Sequence, residues 1–219
     1  MSFERIRGGK LLYLGEYRQA VEVLTRAIEL EPDDAAIYIN RGAAYAALAE
    51  YELAVADYDQ AIELDPGNAT AYNNRGLAYA SLGDYESALR DYERAMELDP
   101  HNAVIYNNRG VAYEAQGDQG RALADYNRAL ELDPEYAAAY YTRGTLYANQ
   151  GDNERAIADY DQAISFNNKF AAAYYSRGVA RGLQGHYEQA LADFEKYLEL
   201  APRASNREQV EAIVRRLKR

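Results

Sequence analysis

The sequence contains no cysteine and no tryptophan, only five prolines and two histidines, and no long apolar run. Without cysteine there is no disulfide framework, no thiolate zinc site, no Cys nucleophile and no lipid-modified N-terminal Cys. The longest uninterrupted apolar stretch, Ala43 to Ala49, falls far short of the roughly 20 residues a bilayer span needs, and Arg41 and Glu50 flank it. A membrane crossing is excluded. The segment from Met1 to Gly9 has no apolar core of the length a secretory signal requires, so a cytoplasmic location is expected. Positive charge is also scarce: 24 Lys and Arg stand against 35 Asp and Glu, a net charge of −11. That balance opposes binding to nucleic acid or anionic lipid, since both depend on summed positive potential, and it suits a neutral or basic partner.

What is abundant is tyrosine, 22 residues against 4 Phe in a chain of 219. The excess comes from a repeat. Pro32, Pro66, Pro100 and Pro134 are spaced by 34, Pro202 follows after two periods, and Asn168 stands in the vacant slot. Rows of 34 from Met1 give six units ending at Ala204, with Ser205 to Arg219 left over. The eighth place of every row is glycine (Gly8, Gly42, Gly76, Gly110, Gly144, Gly178), and the twentieth is always alanine, from Ala20 to Ala190. Tyrosines recur at the fourth, eleventh, seventeenth and twenty-fourth places, as in Tyr72, Tyr79, Tyr85 and Tyr92.

Spacings of 3, 4 and 7 among these positions mark one face of a helix, so each row reads as two amphipathic helices, A over places 2 to 14 and B over roughly 17 to 31. Between A and B, Leu82-Gly83-Asp84-Tyr85 offers a glycine to end one helix and an Asp to cap the next. Between B and the next A, Asp65-Pro66-Gly67-Asn68 offers a proline stop and an Asn cap. One such pair cannot hide its apolar face alone, but stacked on its neighbours it can. The expected fold is therefore all-α, a right-handed α-solenoid of six helix-turn-helix repeats (1–34, 35–68, 69–102, 103–136, 137–170, 171–204) with a capping helix over 205–219. In the remainder, Ser205-Asn206-Arg207-Glu208 reads as a capping box, and Val210, Ile213, Val214 and Leu217 fall on one stripe. The basic end, Arg215, Arg216, Lys218 and Arg219, admits membrane or calmodulin-like binding, but a lid on row six is the reading adopted.

On these features the sequence resembles the tetratricopeptide repeat family over residues 1 to 204. It departs at Glu4, Leu11, Asn168 and Arg181, and at the seventh place, where the family usually has leucine and this chain has Arg7, Arg41, Arg75, Arg109, Arg143 and Arg177. Asp57, Asp91, Asp125, Asp159 and Asp193 at the twenty-third place are positioned to answer those charges across an antiparallel pair, and row one, with Val23, lacks the partner. An ion pair in each repeat is expected in preference to an arginine row for phosphopeptides.

The resemblance implies that helix A lines a concave groove with places 2, 5, 6, 9, 12 and 13, which here are mostly small and neutral. The sixth place reads Asn40, Asn74, Asn108, Thr142 and Ser176, and the fifth reads Asn73, Asn107, Tyr141 and Tyr175. A carboxamide carries a donor and an acceptor together, which an extended peptide backbone needs. Asparagine ladders of this kind hold peptide main chain in the tetratricopeptide superhelix of the O-linked N-acetylglucosamine transferases. The plainer account, that Asn and Thr are common near helix N-termini, covers the same columns. The carboxylate clamp of co-chaperone relatives is not expected, because the second and ninth places hold Ala36, Thr70, Val104, Ala43, Leu77 and Val111.

No catalytic chemistry finds residues to carry it. His101 and His186 lie far apart without companions at ligand spacing, the recurring acid pairs lack the Gly and bidentate Glu of a calcium loop, and Gly8-Gly9 is not a phosphate cradle. No metal and no cofactor are expected. The function expected is a non-catalytic protein-interaction scaffold whose groove holds an extended peptide. The alternatives are an assembly protein that self-associates through its end repeats, row one above all, and a fragment of a longer protein.

Overall fold

A computed structural model of the chain describes residues 3–218. Met1, Ser2 and Arg219, the opening of the first row and the last residue of the basic end, lie outside the described residues. The described residues form thirteen α-helices: α1 (Phe3–Tyr13), α2 (Tyr17–Leu30), α3 (Ala35–Ala47), α4 (Tyr51–Leu64), α5 (Ala69–Ser81), α6 (Tyr85–Leu98), α7 (Ala103–Ala115), α8 (Gln119–Leu132), α9 (Ala137–Asn149), α10 (Asn153–Phe166), α11 (Ala171–Leu183), α12 (Tyr187–Leu200) and α13 (Arg207–Leu217). Odd-numbered helices up to α11 are the A helices and even-numbered ones the B helices. Most A helices begin one residue before the expected start and end one residue sooner. The cap sets the start: Asp34, Asn68 and Asn102 each accept an N–H from the first turn of α3, α5 and α7.

The chain divides into two compact units, one ending at Gln116 and the other beginning at Gly117. In the first unit, α1/α2, α3/α4 and α5/α6 are antiparallel hairpins, and α7 packs on α5 and α6. In the second, α9/α10 and α11/α12 pair, α8 packs on α9, and α13 packs on α12. Within each unit successive A helices touch one another, and among the described residues successive B helices do not, so A lies on the inner side of each unit.

Within a hairpin the glycine of helix A exists to seat a ring from helix B. A Cβ at Gly42 would lie 2.7 Å from Tyr58 Cε1, and one at Gly76 2.9 Å from Tyr92 Cε1. Gly8 plays the same part against Leu24, and Gly178 against Phe194. The alanines of the twentieth place are all fully buried beside these rings. At the A-to-B joint, Gly83 sits at φ 83°, in the left-handed region, and Asp84 accepts the Ser87 N–H at 3.1 Å. In row two the same joint is held by Ala49, at φ 61°.

Helix α13 covers the last hairpin. Val210 and Val214 join Ala190, Phe194 and Tyr197 in one buried cluster, with Leu217 partly buried against it, while Ile213 faces outward. The expected capping box does not form. Asn206 is the N-cap residue but makes no side-chain cap bond, because its Oδ1 accepts from the Tyr197 hydroxyl instead. The basic end is drawn into salt bridges, Lys218 to Glu195 at 2.7 Å and Arg215 to Glu211 at 4.0 Å.

Candidate functional site

The sixth-place residues stand on the A helices, one helix turn or more beyond the capped start, where the backbone is already paired and the side chain is left for other uses. In the first unit they meet the fifth-place amides in a directed chain. Asn108 Nδ2 on α7 donates to Asn73 Oδ1 on α5 at 3.0 Å, and Asn73 Nδ2 donates to Asn74 Oδ1 at 3.2 Å. Each amide that donates is polarised by the one donating to it, and the chain ends on the Nδ2 donor of Asn74. Asn40 stands half-buried at the corresponding place of α3.

The other expected residues have different surroundings. Asn107 is buried, at 6% exposure. In the second unit the Tyr141 ring packs between Tyr160, at 5.8 Å, and Phe170, at 4.9 Å. Tyr175 packs on Tyr197 at 5.2 Å and on Phe194 at 6.0 Å. Thr142 Oγ1 donates back to its own helix, toward the Ala138 and Ala139 carbonyls. Ser176 lies beside the Tyr160 hydroxyl. The fifth place thus changes from an amide to a packing ring between the two units.

The inner places of the A helices in rows two to six hold one formal charge, Glu114, in a chain of net charge −11. Leu77 and Val111 in the first unit and Val179 and Leu183 in the second are exposed on it. Two cavities open there. One, of about 400 Å³, is bounded by Ala43, Ala47, Tyr58, Asn74 and Leu77; the other, of about 310 Å³, by Thr145, Asn149, Tyr160, Ser176 and Val179. Their walls combine the groove-facing sixth, ninth and thirteenth places with the twenty-fourth-place tyrosines Tyr58 and Tyr160, whose part in the lining the sequence does not mark.

The arginines of the seventh place are structural. Arg41, Arg75, Arg143 and Arg177 each form a two-point ion pair with the twenty-third-place Asp of their own row, as in Arg41 Nε to Asp57 Oδ2 at 2.8 Å and Nη2 to Oδ1 at 2.6 Å. The third nitrogen, Nη1, reaches back to the twenty-fifth place of the preceding row: Thr25, Asp59, Asn127 and Asp161 respectively. Fourth-place tyrosines lie over the same guanidinium groups, Tyr72 at 5.5 Å from Arg75 and Tyr174 at 5.4 Å from Arg177. Hydrogen bonding to Asp91 leads the causes that hold the Arg75 guanidinium above its ordinary value. In row six, Arg181 takes the place of a tyrosine and adds bonds to Asp193 and Asp161. Arg7, without an Asp in row one, is half exposed beside Glu4 at 3.9 Å. His101 and His186 are exposed. No helix among the described residues is long and apolar enough to cross a membrane.

Comparison with known families gives matches along nearly the whole chain, all to tetratricopeptide repeats: residues 8–49 and 47–83, 69–102 and 103–136, 125–158, and 145–217. No curated protein sequence matches the chain. Among solved structures, a tetratricopeptide repeat protein from Parabacteroides merdae superposes with a TM-score of 0.79 at 24% identity, covering 99% of this chain and 83% of the other. PilW, a type IV pilus biogenesis factor, superposes with a TM-score of 0.81 at 19% identity over 95% and 96% of the two chains. YrrB, described as having an unusual peptide-binding site, is 28% identical, with a TM-score of 0.56 over 88% of this chain and 99% of its own.

Proposed function

The chain belongs to the tetratricopeptide repeat family, and we propose that it is a non-catalytic protein-interaction scaffold that holds an extended, neutral or basic peptide along its A helices. Asn40, Asn74 and Asn108 meet the peptide main chain, and Thr142 and Ser176 continue the row. Asn73 orients its neighbours, and Asn107, Tyr141 and Tyr175 shape the wall. The observation that carries this reading is the connected amide chain from Asn108 through Asn73 to Asn74 on a face nearly free of charge. An extended peptide has unpaired carbonyls and amides, and carboxamides satisfy both without the cost of desolvating an ion. The peptide-binding site named for YrrB, a relative of similar length, lends support.

The test is a 12-residue peptide selected on the protein from a random library. Asn74→Ala with Asn108→Ala should weaken its binding while the helical circular dichroism and melting profile hold; unchanged binding would remove the proposal.

A second reading, self-association through row one, is favoured by the exposed Phe3, Ile6 and Tyr13 on α1, the last at 90% exposure. Light scattering over a concentration series separates the two, since a strictly monomeric chain rules out self-assembly.

A further inference from the structure

We propose that the cavity between α3 and α5 is a side-chain subsite that takes one uncharged aliphatic or aromatic residue of the bound peptide, with Asn74 and Tyr58 donating to the main-chain carbonyls on either side of that residue's Cα. The proposal rests on the peptide-groove reading and adds to it a position and a chemistry. The cavity, about 400 Å³, is walled by Ala43, Ala47 and Leu77, and none of its lining side chains is ionised at neutral pH. Leu77 is 49% exposed there, apolar surface that an apolar occupant would cover.

Tyr58 supplies the second, independent observation. Its side chain is 2% exposed and lines this cavity, yet among the described residues its hydroxyl has no hydrogen-bond partner. The equivalent position in the second unit shows what is missing. There Tyr160 donates to Thr145 Oγ1 at 3.3 Å; here the place of Thr145 is taken by Ala43, which has a methyl group and no acceptor. The hydroxyl is not sealed among the buried unpaired atoms but opens on the cavity, so an occupant that covers it must bring an acceptor or leave it unpaired. Asn74 presents the same polarity. Its Oδ1 already accepts from Asn73, which leaves its Nδ2 as a donor, and the bond from Asn108 to Asn73 fixes that sense. Carbonyl oxygens answer both donors. A lysine or arginine side chain would find no carboxylate in the lining, and a glutamate would be desolvated without a cation. An apolar side chain loses nothing on entry.

The probes are N-acetyl-leucine N-methylamide and N-acetyl-lysine N-methylamide, titrated into the ¹⁵N-labelled full chain. The leucine probe should shift the Ala43 and Ala47 amides and the Asn74 carboxamide saturably, at least tenfold tighter than the lysine probe. Ala47→Phe, on an exposed helix position, should fill the cavity and weaken the leucine probe at least tenfold. Ala43→Leu, which copies the residue found at the same place in α5, is the second filling variant, and Glu93→Phe on the exposed face of α6, outside both cavities, should leave binding unchanged. Equal binding of the two probes, or indifference to both filling variants in a folded chain, would overturn the subsite. If that happens while Asn74→Ala with Asn108→Ala still releases a selected peptide, the groove reading survives without the subsite. Leucine binding as expected, beside a peptide indifferent to those alanines, would overturn the groove reading alone.

Discussion

Arg75 and Asp91 are joined across α5 and α6 by two parallel bonds, Nε to Oδ2 at 2.8 Å and Nη2 to Oδ1 at 2.7 Å, and the remaining Nη1 holds Asp59 of the preceding hairpin at 2.7 Å. One guanidinium therefore ties the two helices of its own repeat together and fastens that repeat to the one before. The two acids are not equivalent. The Asp91 side chain is 8% exposed, whereas the Asp59 side chain is 49% exposed. Removing the buried partner strands a charge in the interior; removing the exposed one leaves Arg75 its main contact.

Asp91→Ala should therefore destabilise the protein by about 3 kcal/mol, the cost of breaking a buried pair from one side. Asp59→Ala should cost under ~1 kcal/mol, as exposed pairs do. Urea unfolding followed by circular dichroism checks both, and equal losses would contradict the division of roles.

Ala49 holds the left-handed turn that glycine holds in every other row, at φ 61° against 83° for Gly83. A Cβ in that region costs roughly 1–2 kcal/mol, partly offset by the greater freedom glycine has when unfolded. Ala49→Gly should stabilise the chain by about 0.5–1 kcal/mol, seen as a later urea midpoint at an unchanged slope.

Gly76→Ala should do the opposite. The added methyl would sit 2.9 Å from the Tyr92 ring and 3.1 Å from the Ala88 carbonyl, so α5 and α6 must separate. The overpacking cost, about 1–3 kcal/mol, exceeds the ~1 kcal/mol that alanine gains over glycine within a helix. A stabilised variant would show that the close approach is not needed.

Burial pushes the phenols of Tyr58, Tyr92 and Tyr160 above the ordinary tyrosine value, with the neighbouring carboxylates Asp57 and Asp91 adding to the first two. The unfolded chain releases these protons near pH ~10 and the folded chain only later. Their contribution is thus complete below that pH and is lost as pH rises through the raised values. Unfolding measured from pH 9 to 12 should show stability falling over this range, and Tyr58→Phe with Tyr92→Phe should flatten the fall. A pH-independent stability would contradict the burial.

The repeat was legible because its markers are steric. Gly42 and Gly76 must admit a ring, Ala54 and Ala88 have no room for more, and Gly83 must turn left-handed, so each position tolerates little else. The ion pairs were legible for the same reason, since charge in a buried column demands an answer at a fixed spacing. The second partner of each arginine was not, because the twenty-fifth place varies among Thr25, Asp59, Asn127 and Asp161, which share only an acceptor oxygen. The surroundings of Tyr141 and Tyr175 were hidden too, as a tyrosine beside a groove can serve equally as wall or contact, and their neighbours Phe170 and Tyr197 decide it. The capping box failed because α13 begins one residue later than a Ser205 cap requires, and Tyr197, nine residues back, holds the side chain of Asn206, the residue that does stand at the N-cap.

The most direct measurement of the central claim is paramagnetic relaxation by a library-selected peptide that carries a nitroxide at its middle residue, bound to the ¹⁵N-labelled protein. The account predicts strong broadening of amides on α3 and α5, Ala43 and Leu77 among them, with the Asn74 carboxamide lost and residues such as Gln60 and Glu93 on α4 and α6 sharp. Broadening confined to α4 and α6, with the Asn74 signal intact, would contradict it.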